Sequence, residues 1–225
     1  MECLICKGKM KHVIKDIYIC HICDLYSSDL KADPAIYGKE YQNVYAQRRD
    51  TELGNAITEG RYKLVSKYIK SGKILDFGCA TGDFIDRCNL SSNYEIQGYD
   101  INPYSSYCNI TNLFDSWEAL TSWDSIEHMD RPDKLITGLN AKYVFLCTPT
   151  TEGIENTIDK NILNWRHYRP HEHIHYFNAN SLKRLLRVCG YDTLEITYEE
   201  SNLRKFMSNK NIISIVGKKI YHNAN

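Results

Sequence analysis

The stretch Ile74-Leu75-Asp76-Phe77-Gly78-Cys79-Ala80-Thr81-Gly82-Asp83-Phe84 decides how this chain is read. Ile74 and Leu75 make a short apolar run bounded by Lys73 and Asp76, the pattern of a buried strand. Gly78 and Gly82 then permit a tight turn and let backbone N–H groups approach a ligand before a helix begins. A second strand, Tyr94 to Tyr99, ends in Asp100, whose carboxylate can accept both hydroxyl protons of a ribose. On these residues alone a dinucleotide-type site and a purely structural turn both stay open, because many α/β folds carry a glycine turn after a strand.

The spacing Asp76-x-Gly78-x-Ala80-x-Gly82 resembles motif I of the class I S-adenosylmethionine (SAM) methyltransferases, with Ala80 where that family usually has its middle glycine. Asp100-Ile101-Asn102-Pro103 is similar to the family's ribose-binding acidic loop. The resemblance implies SAM as cofactor, held by Asp76, Gly78, Cys79, Ala80, Gly82, Phe84, Asp100, Ile101 and Trp123. It also implies an α/β fold: a Rossmann-like seven-stranded sheet between helices, mostly parallel, with an antiparallel last strand. After Asp100 the chain is brief. Only thirteen residues separate Pro103 from Trp117, where a doubly wound domain normally fits a helix and a strand. Cys108 to Thr111 is the candidate third strand, and Phe114 and Asp115 are the candidate adenine neighbours.

The chain has 225 residues, enough for one α/β domain with a small appendage. Lys+Arg and Asp+Glu balance at 28 each, so no global field draws it to nucleic acid or to an anionic membrane. No stretch is long and apolar enough to span a bilayer, and Cys and Lys interrupt any apolar signal core at the N-terminus. The expectation is a soluble cytoplasmic protein.

Four of the nine cysteines have metal spacing: Cys3-x-x-Cys6, thirteen residues, then Cys20-x-x-Cys23. Each pair can form a tight turn that aims two thiolates at one point, and two such turns complete a tetrahedral Zn²⁺ site. Unrelated buried or redox pairs are the alternative. All four positions would be filled, so the zinc would be structural. A piece of this size has almost no core of its own. The expected organisation is a zinc ribbon over 1–33, a tyrosine-rich linker and lead-in helix over 34–70, and the main domain over 71–225. Tyr37, Tyr41 and Tyr45 resemble a helix that folds over the SAM pocket in zinc-ribbon methyltransferases; plain aromatic packing is the alternative. Residues 51 to 70 have helical periodicity, and Arg61 lies on that helix.

Two further stretches carry chemistry. Trp123-Asp124-Ser125-Ile126-Glu127-His128 resembles the turn after the family's fourth strand. Similar triplets bind a divalent ion in ubiquinone-pathway O-methyltransferases, which makes Asp124, Glu127 and His128 candidates for Mg²⁺. The preferred alternative has Asp124 capping a helix. Arg169-Pro170-His171-Glu172-His173-Ile174-His175-Tyr176-Phe177 resembles the Arg-Pro-x-Glu-His-x-x-x-Phe signature of zinc-ribbon methyltransferases, sugar C-methyltransferases among them. By that match His173 is the candidate base, with Glu172 orienting it or holding the acceptor, and His128 is a third catalytic candidate. If the loop were extended, His171, His173 and His175 would share a face. Asn180 or Ser181 is expected to cap a last helix, followed by an antiparallel hairpin of 193–198 and 212–216. The reading is an enzyme that methylates a small-molecule acceptor, a sugar, sugar nucleotide or hydroxylated metabolite. The alternatives are a nucleic-acid methyltransferase clamped by the ribbon and a non-catalytic SAM-binding protein.

Overall fold

The computed structural model describes residues 1–102, 105–108, 115–154, 162–204 and 210–221. Three short strands come first: β1 (Lys11–Ile14), β2 (Ile17–Cys20) and β3 (Leu25–Ser28). Helices α1 (Lys39–Arg49) and α2 (Glu52–Tyr68) lead to β4 (Gly72–Phe77), α3 (Asp83–Asn89) and β5 (Tyr94–Tyr99). Next come β6 (Ala119–Trp123), α4 (Pro132–Leu139) and β7 (Tyr143–Pro149). The chain closes with β8 (His175–Tyr176), α5 (Ala179–Val188), β9 (Tyr191–Thr197), α6 (Glu199–Leu203) and β10 (Ile212–Lys219).

Six of these strands form one mixed sheet in the order β5-β4-β6-β7-β10-β9. β4 to β7 pair in parallel, and β10 runs antiparallel to both β7 and β9. The strand order reverses between β4 and β6, and the crevice at their carboxyl ends is where such sheets bind ligands. The expected sheet had seven strands; among the described residues there are six. Cys108 makes one parallel bridge to Gly98 on the edge strand β5, and residues 109–114 of the expected third strand lie outside the described residues.

The N-terminal strands form a sheet of their own, β1-β2-β3-β8, whose fourth strand comes from far along the chain. Tyr26 pairs with Tyr176 and Ser27 with His175. Period-2 alternation splits its side chains between two cores. Cys20 and Leu25 join the apolar cluster under β6, β7 and α5, while Ile17, Ile19 and Tyr26 pack with Ile162, Trp165 and Tyr176 on the other face. β2 and β3 are thus covered on both faces, while β1 stays largely exposed at the edge of the sheet.

Two local expectations are corrected. α5 is capped by Asn178, not by Asn180 or Ser181: Asn178 accepts from Ser181 N–H at 2.9 Å, and Ser181 Oγ accepts from Asn178 N–H at 2.9 Å. Nor is α5 the last helix, because α6 intervenes before the final strand. Asn178 also donates from Nδ2 to Asp24 at 2.7 Å, so one side chain starts a helix and ties it to the ribbon. Asn178→Ala is expected to lower unfolding stability by about 1–2 kcal/mol, and Asn180→Ala, on the exposed side, to change it by less than about 0.5 kcal/mol, both read from urea midpoints.

Candidate functional site

The turn after β4 is held in a left-handed path. Gly78, Ala80 and Gly82 have φ of 80°, 44° and 77°. Gly78 N–H donates to Tyr99 O at 2.7 Å, and a Cβ on Gly78 would collide with the Ser125 side chain. Asp100 accepts from Ala80 N–H at 2.7 Å and from Asn102 N–H at 2.6 Å, so the acid at the end of β5 braces the glycine turn. Each carboxylate oxygen keeps a second lone pair for a ligand.

A cavity of about 530 Å³ opens at this turn. Of the expected cofactor residues, Asp76, Gly78, Cys79, Ala80, Phe84, Asp100, Ile101 and Trp123 line it. Gly82 does not; it starts α3, and a side chain there would strike the Tyr107 ring. Tyr37, Tyr41 and Tyr45 also line the cavity, and they pack on one another as well, with ring centres 5.1 and 4.7 Å apart along the series. Asp115 is turned away to Lys73 at 2.8 Å, and Phe114 lies outside the described residues. Met129, Asp130 and Arg131 line the cavity instead, and no pattern in the sequence singled them out. Asp76 is 2 % exposed and accepts from Thr121 Oγ1 at 2.7 Å. Burial pushes its carboxyl up to about 7 against that hydrogen bond.

A second cavity, of about 480 Å³, adjoins the first, and both are lined by Tyr45, Arg61, Asp83, Asp124 and His128. Its buried floor carries Glu127, His128 and His173. His173 Nδ1 lies 2.8 Å from His167 O, and His128 Nδ1 lies 2.8 Å from Glu172 O. A carbonyl oxygen only accepts, so His173 carries its proton on Nδ1 and presents an Nε2 lone pair, while His128 Nδ1 is shared between Glu172 O and the Tyr37 hydroxyl, each at 2.8 Å. Burial and the neighbouring His128 and Arg169 hold the His173 imidazole down at about 2, so it is neutral. Glu172 lines neither cavity. Its carboxylate is engaged by Arg169 at 2.9 Å, and its Oε1 lies 3.8 Å from His173 Nε2. The three alternating histidines do not share a face. His171 has φ 64° in an exposed turn, His173 enters the site, and His175 is buried with Nδ1 2.9 Å from Ser27 Oγ. Only two residues of the loop are extended enough to alternate.

Asp124 caps no helix. Arg61 and Arg204 reach it at 2.8 and 2.5 Å, and both also pair with Glu200. Burial alone would raise the Asp124 carboxyl, but the two guanidiniums outweigh it and hold the group well below the carboxylate range. The donors that do converge are Glu127, His128 and His173, within 4.8 Å of one another. Neither Glu127 oxygen has a hydrogen-bond partner among the described residues, and the side chain is 1 % exposed. Far from this floor, the sulfurs of Cys3, Cys6, Cys20 and Cys23 also lie within 4.8 Å of one another, with Cys6 and Cys20 at 3.5 Å. Tetrahedral Zn–S bonds place sulfurs roughly 3.8 Å apart, so the set fits zinc and leaves no position for water. The residue after each pair, Lys7 and Asp24, is left-handed at φ 61° and 57°, so the two turns are equivalent.

Residues 45–196, about two thirds of the chain, match the model of a family described as a methyltransferase domain. The chain belongs to this methyltransferase family. The fold agrees with solved structures. A SAM-dependent methyltransferase from Archaeoglobus fulgidus is 16 % identical with a TM-score of 0.54, over 73 % of this chain and 94 % of that one. One from Clostridium acetobutylicum is 11 % identical with a TM-score of 0.53, over 80 % and 98 %. A phosphoethanolamine N-methyltransferase of Haemonchus contortus is 14 % identical with a TM-score of 0.51, over 72 % of this chain and 53 % of that one. Comparison with curated proteins finds no match. The first cavity lies at the carboxyl ends of the parallel strands, where open α/β sheets bind their ligands. Among the described residues no helix is long and apolar enough to cross a membrane.

The raised Asp76 carboxyl has a measurable consequence in ligand-free protein. Its folded value exceeds the unfolded one, about 4, so folding favours the protonated form and this group costs stability as pH rises from about 4 to 7. Asp76→Asn should match wild type in thermal midpoint below about pH 4 and exceed it increasingly up to about pH 7, with weaker SAM binding throughout.

Proposed function

We propose that this chain transfers the methyl group of SAM to a small-molecule acceptor, a sugar, sugar nucleotide or related hydroxylated metabolite, with His173 as the base. The proposal includes the organisation read from the sequence: a zinc ribbon over 1–33, a lead-in segment over 34–70 and the catalytic domain over 71–225. Cys3, Cys6, Cys20 and Cys23 would hold a structural zinc, in the manner of the zinc-ribbon branch. The carrying observation is the neutral His173 imidazole, pinned through Nδ1 at the floor of a cavity that adjoins the SAM cavity.

SAM supplies an electrophilic methyl group, and the rest is positioning by the chain. Asp100 and the Gly78–Gly82 turn hold the donor at the sheet edge. Trp123, with the Arg61 guanidinium over its ring at 5.2 Å, lines the first cavity, and Arg61 lines both. His173 Nε2 takes the acceptor's proton. Glu172 keeps Arg169 in place and fixes the His128 ring through its carbonyl.

The unpartnered Glu127 carboxylate favours a second component, a divalent ion such as Mg²⁺. Glu127, His128 and His173 would hold it, and it would supply acidification of an acceptor hydroxyl, with His173 then a ligand and not the base. Asp124 takes no part in this set, because Arg61 and Arg204 claim it.

Mass spectrometry of an acceptor panel with methyl-labelled SAM should find one gained methyl. His173→Ala should cut turnover by about 10²–10⁴-fold with unchanged affinity for the demethylated product. Asp100→Ala should weaken that affinity by about 10–100-fold in calorimetry. No heat with wild type overturns the SAM reading. Elemental analysis should find one zinc per chain, lost in Cys6→Ser. A second metal equivalent, absent from His128→Ala, would establish the ion on the floor; its absence from wild type would leave His173 as the base.

A further inference from the structure

The floor of the second cavity presents hydrogen-bond acceptors side by side. Glu127 lines it with a side chain 1 % exposed, and neither of its carboxylate oxygens has a hydrogen-bond partner among the described residues. His173, pinned through Nδ1, presents its Nε2 lone pair on the same floor. His128 lines both cavities, so the floor borders the cavity at the glycine turn. Buried acceptors left unmet cost free energy, and a ligand that brings donors relieves that cost. A hydroxyl brings one donor and meets either the base or the carboxylate. A primary ammonium brings three and meets both. The spacing points the same way. Hydrogen bonds of about 2.9 Å from a tetrahedral nitrogen put neighbouring acceptors roughly 4.7 Å apart. Adjacent ligand atoms around Mg²⁺, each at about 2.1 Å, stand only roughly 3.0 Å apart. His128 Nε2 and Glu127 Oε1 are separated by 3.9 Å, and the groups of Glu127, His128 and His173 lie within 4.8 Å of one another. The guanidiniums that line the cavity leave its floor to a cation. Arg61 and Arg204 pair with Asp124 and Glu200, and Arg169 pairs with Glu172. Arg48 and Arg166 stand at exposed positions, where solvent screens them.

We propose that the acceptor is a small molecule with a primary amine, that Glu127 and His173 hold its ammonium at this floor, and that the methyl goes to that nitrogen. This rests on the methyltransferase reading of the same site and names the acceptor's reacting group. Glu127 accepts one N–H and fixes the nitrogen. His173 Nε2 takes one proton and leaves a lone pair on the nitrogen. Rotation about the C–N bond turns that pair toward the methyl group of the donor. The pair forms the new N–C bond as the sulfur–carbon bond breaks, and the electrons of that bond stay on sulfur. The product is a secondary ammonium, which keeps an N–H for Glu127. An ammonium gives up its proton near pH 10 and a hydroxyl near 16, so the amine asks far less of the base. The body of the molecule meets the apolar side chains of Leu53, Ile57 and Pro149, in a cavity of about 480 Å³.

The test is nuclear magnetic resonance of the full-length, zinc-loaded chain with isotope-labelled histidine rings, in the presence of the demethylated SAM product. The His128 and His173 signals are identified by their loss in His128→Asn and His173→Asn. Methylammonium should shift both saturably. Methanol, which lacks the charge, and tetramethylammonium, which lacks N–H donors, should not. Glu127→Gln should weaken methylammonium binding by about tenfold or more, with affinity for the SAM product unchanged. In turnover of an acceptor panel with methyl-labelled SAM, tandem mass spectrometry should place the gained methyl on nitrogen. Four results overturn the proposal: no saturable shift with methylammonium, an equal shift with methanol or tetramethylammonium, unchanged affinity in Glu127→Gln, or transfer to oxygen or carbon. Mg²⁺ that shifts the same signals and is not displaced by methylammonium also overturns it, in favour of a divalent ion. The methanol and tetramethylammonium titrations use wild type alone, so they decide even where Glu127→Gln does not fold. Failure of the methyltransferase reading is separately visible, as absence of binding by the SAM product while methylammonium still shifts the histidines.

Discussion

The site depends on the backbone hydrogen bonds of residues 171–177. This loop is too short and too irregular to hold itself, and three distant segments hold it instead. Ser28 N–H donates to Ile174 O at 2.9 Å from the ribbon, and Asp33 N–H donates to His171 O at 2.8 Å from the lead-in. Ile174 N–H donates to Glu127 O at 2.9 Å, and His128 Nδ1 reaches Glu172 O, so the turn after β6 and the histidine loop satisfy each other. Tyr176 OH closes the loop by donating to His173 O at 2.8 Å. Buried backbone groups must be paired, and here the pairing itself orients two imidazoles. The N-terminal sheet and the segment after it therefore help hold the 171–177 loop.

A second constraint separates the cavities. Arg61, Asp124, Glu200 and Arg204 form a closed set of two cations and two anions from α2, the end of β6 and α6. Such a buried set adds little net stability, because desolvation offsets attraction, but removing one partner leaves a costly uncompensated charge. Its evident effect is geometric: it fixes the wall that both cavities share and holds Asp124 in a left-handed backbone at φ 51°. Glu127, three residues on, has no hydrogen-bond partner for its carboxylate among the described residues, so neighbouring acids stand in contrast at the floor.

Much of the donor side was legible in the sequence. Gly78, Ala80 and Gly82 need left-handed backbone within one turn, and Asp100 sits at a strand end, so both signals are local and survive without tertiary information. The cysteine pairs were legible for the same reason, each being a self-contained turn. The cap at Asn178 was misplaced by two residues because the reciprocal bond with Ser181 depends on where the loop from β8 enters the helix. The extended reading of 171–175 failed because His171 adopts a left-handed turn that the alternating histidines disguise.

The sequence by itself determined the α/β class, the left-handed glycine turn, the strand-end acid and the four converging thiols. In each the spacing along the chain sets the geometry, since a few residues of backbone decide where the groups point. Only the tertiary structure decided which acid lacks a side-chain partner among the described residues, where the three histidines go and how the guanidiniums come to line one cavity. Arg48, Arg166 and Arg204 are far apart in sequence and meet through packing, and Asp124 lost its expected role to arginines 63 and 80 residues away. Charge pairing between distant segments depends on which surfaces the fold buries together, and no local pattern encodes it.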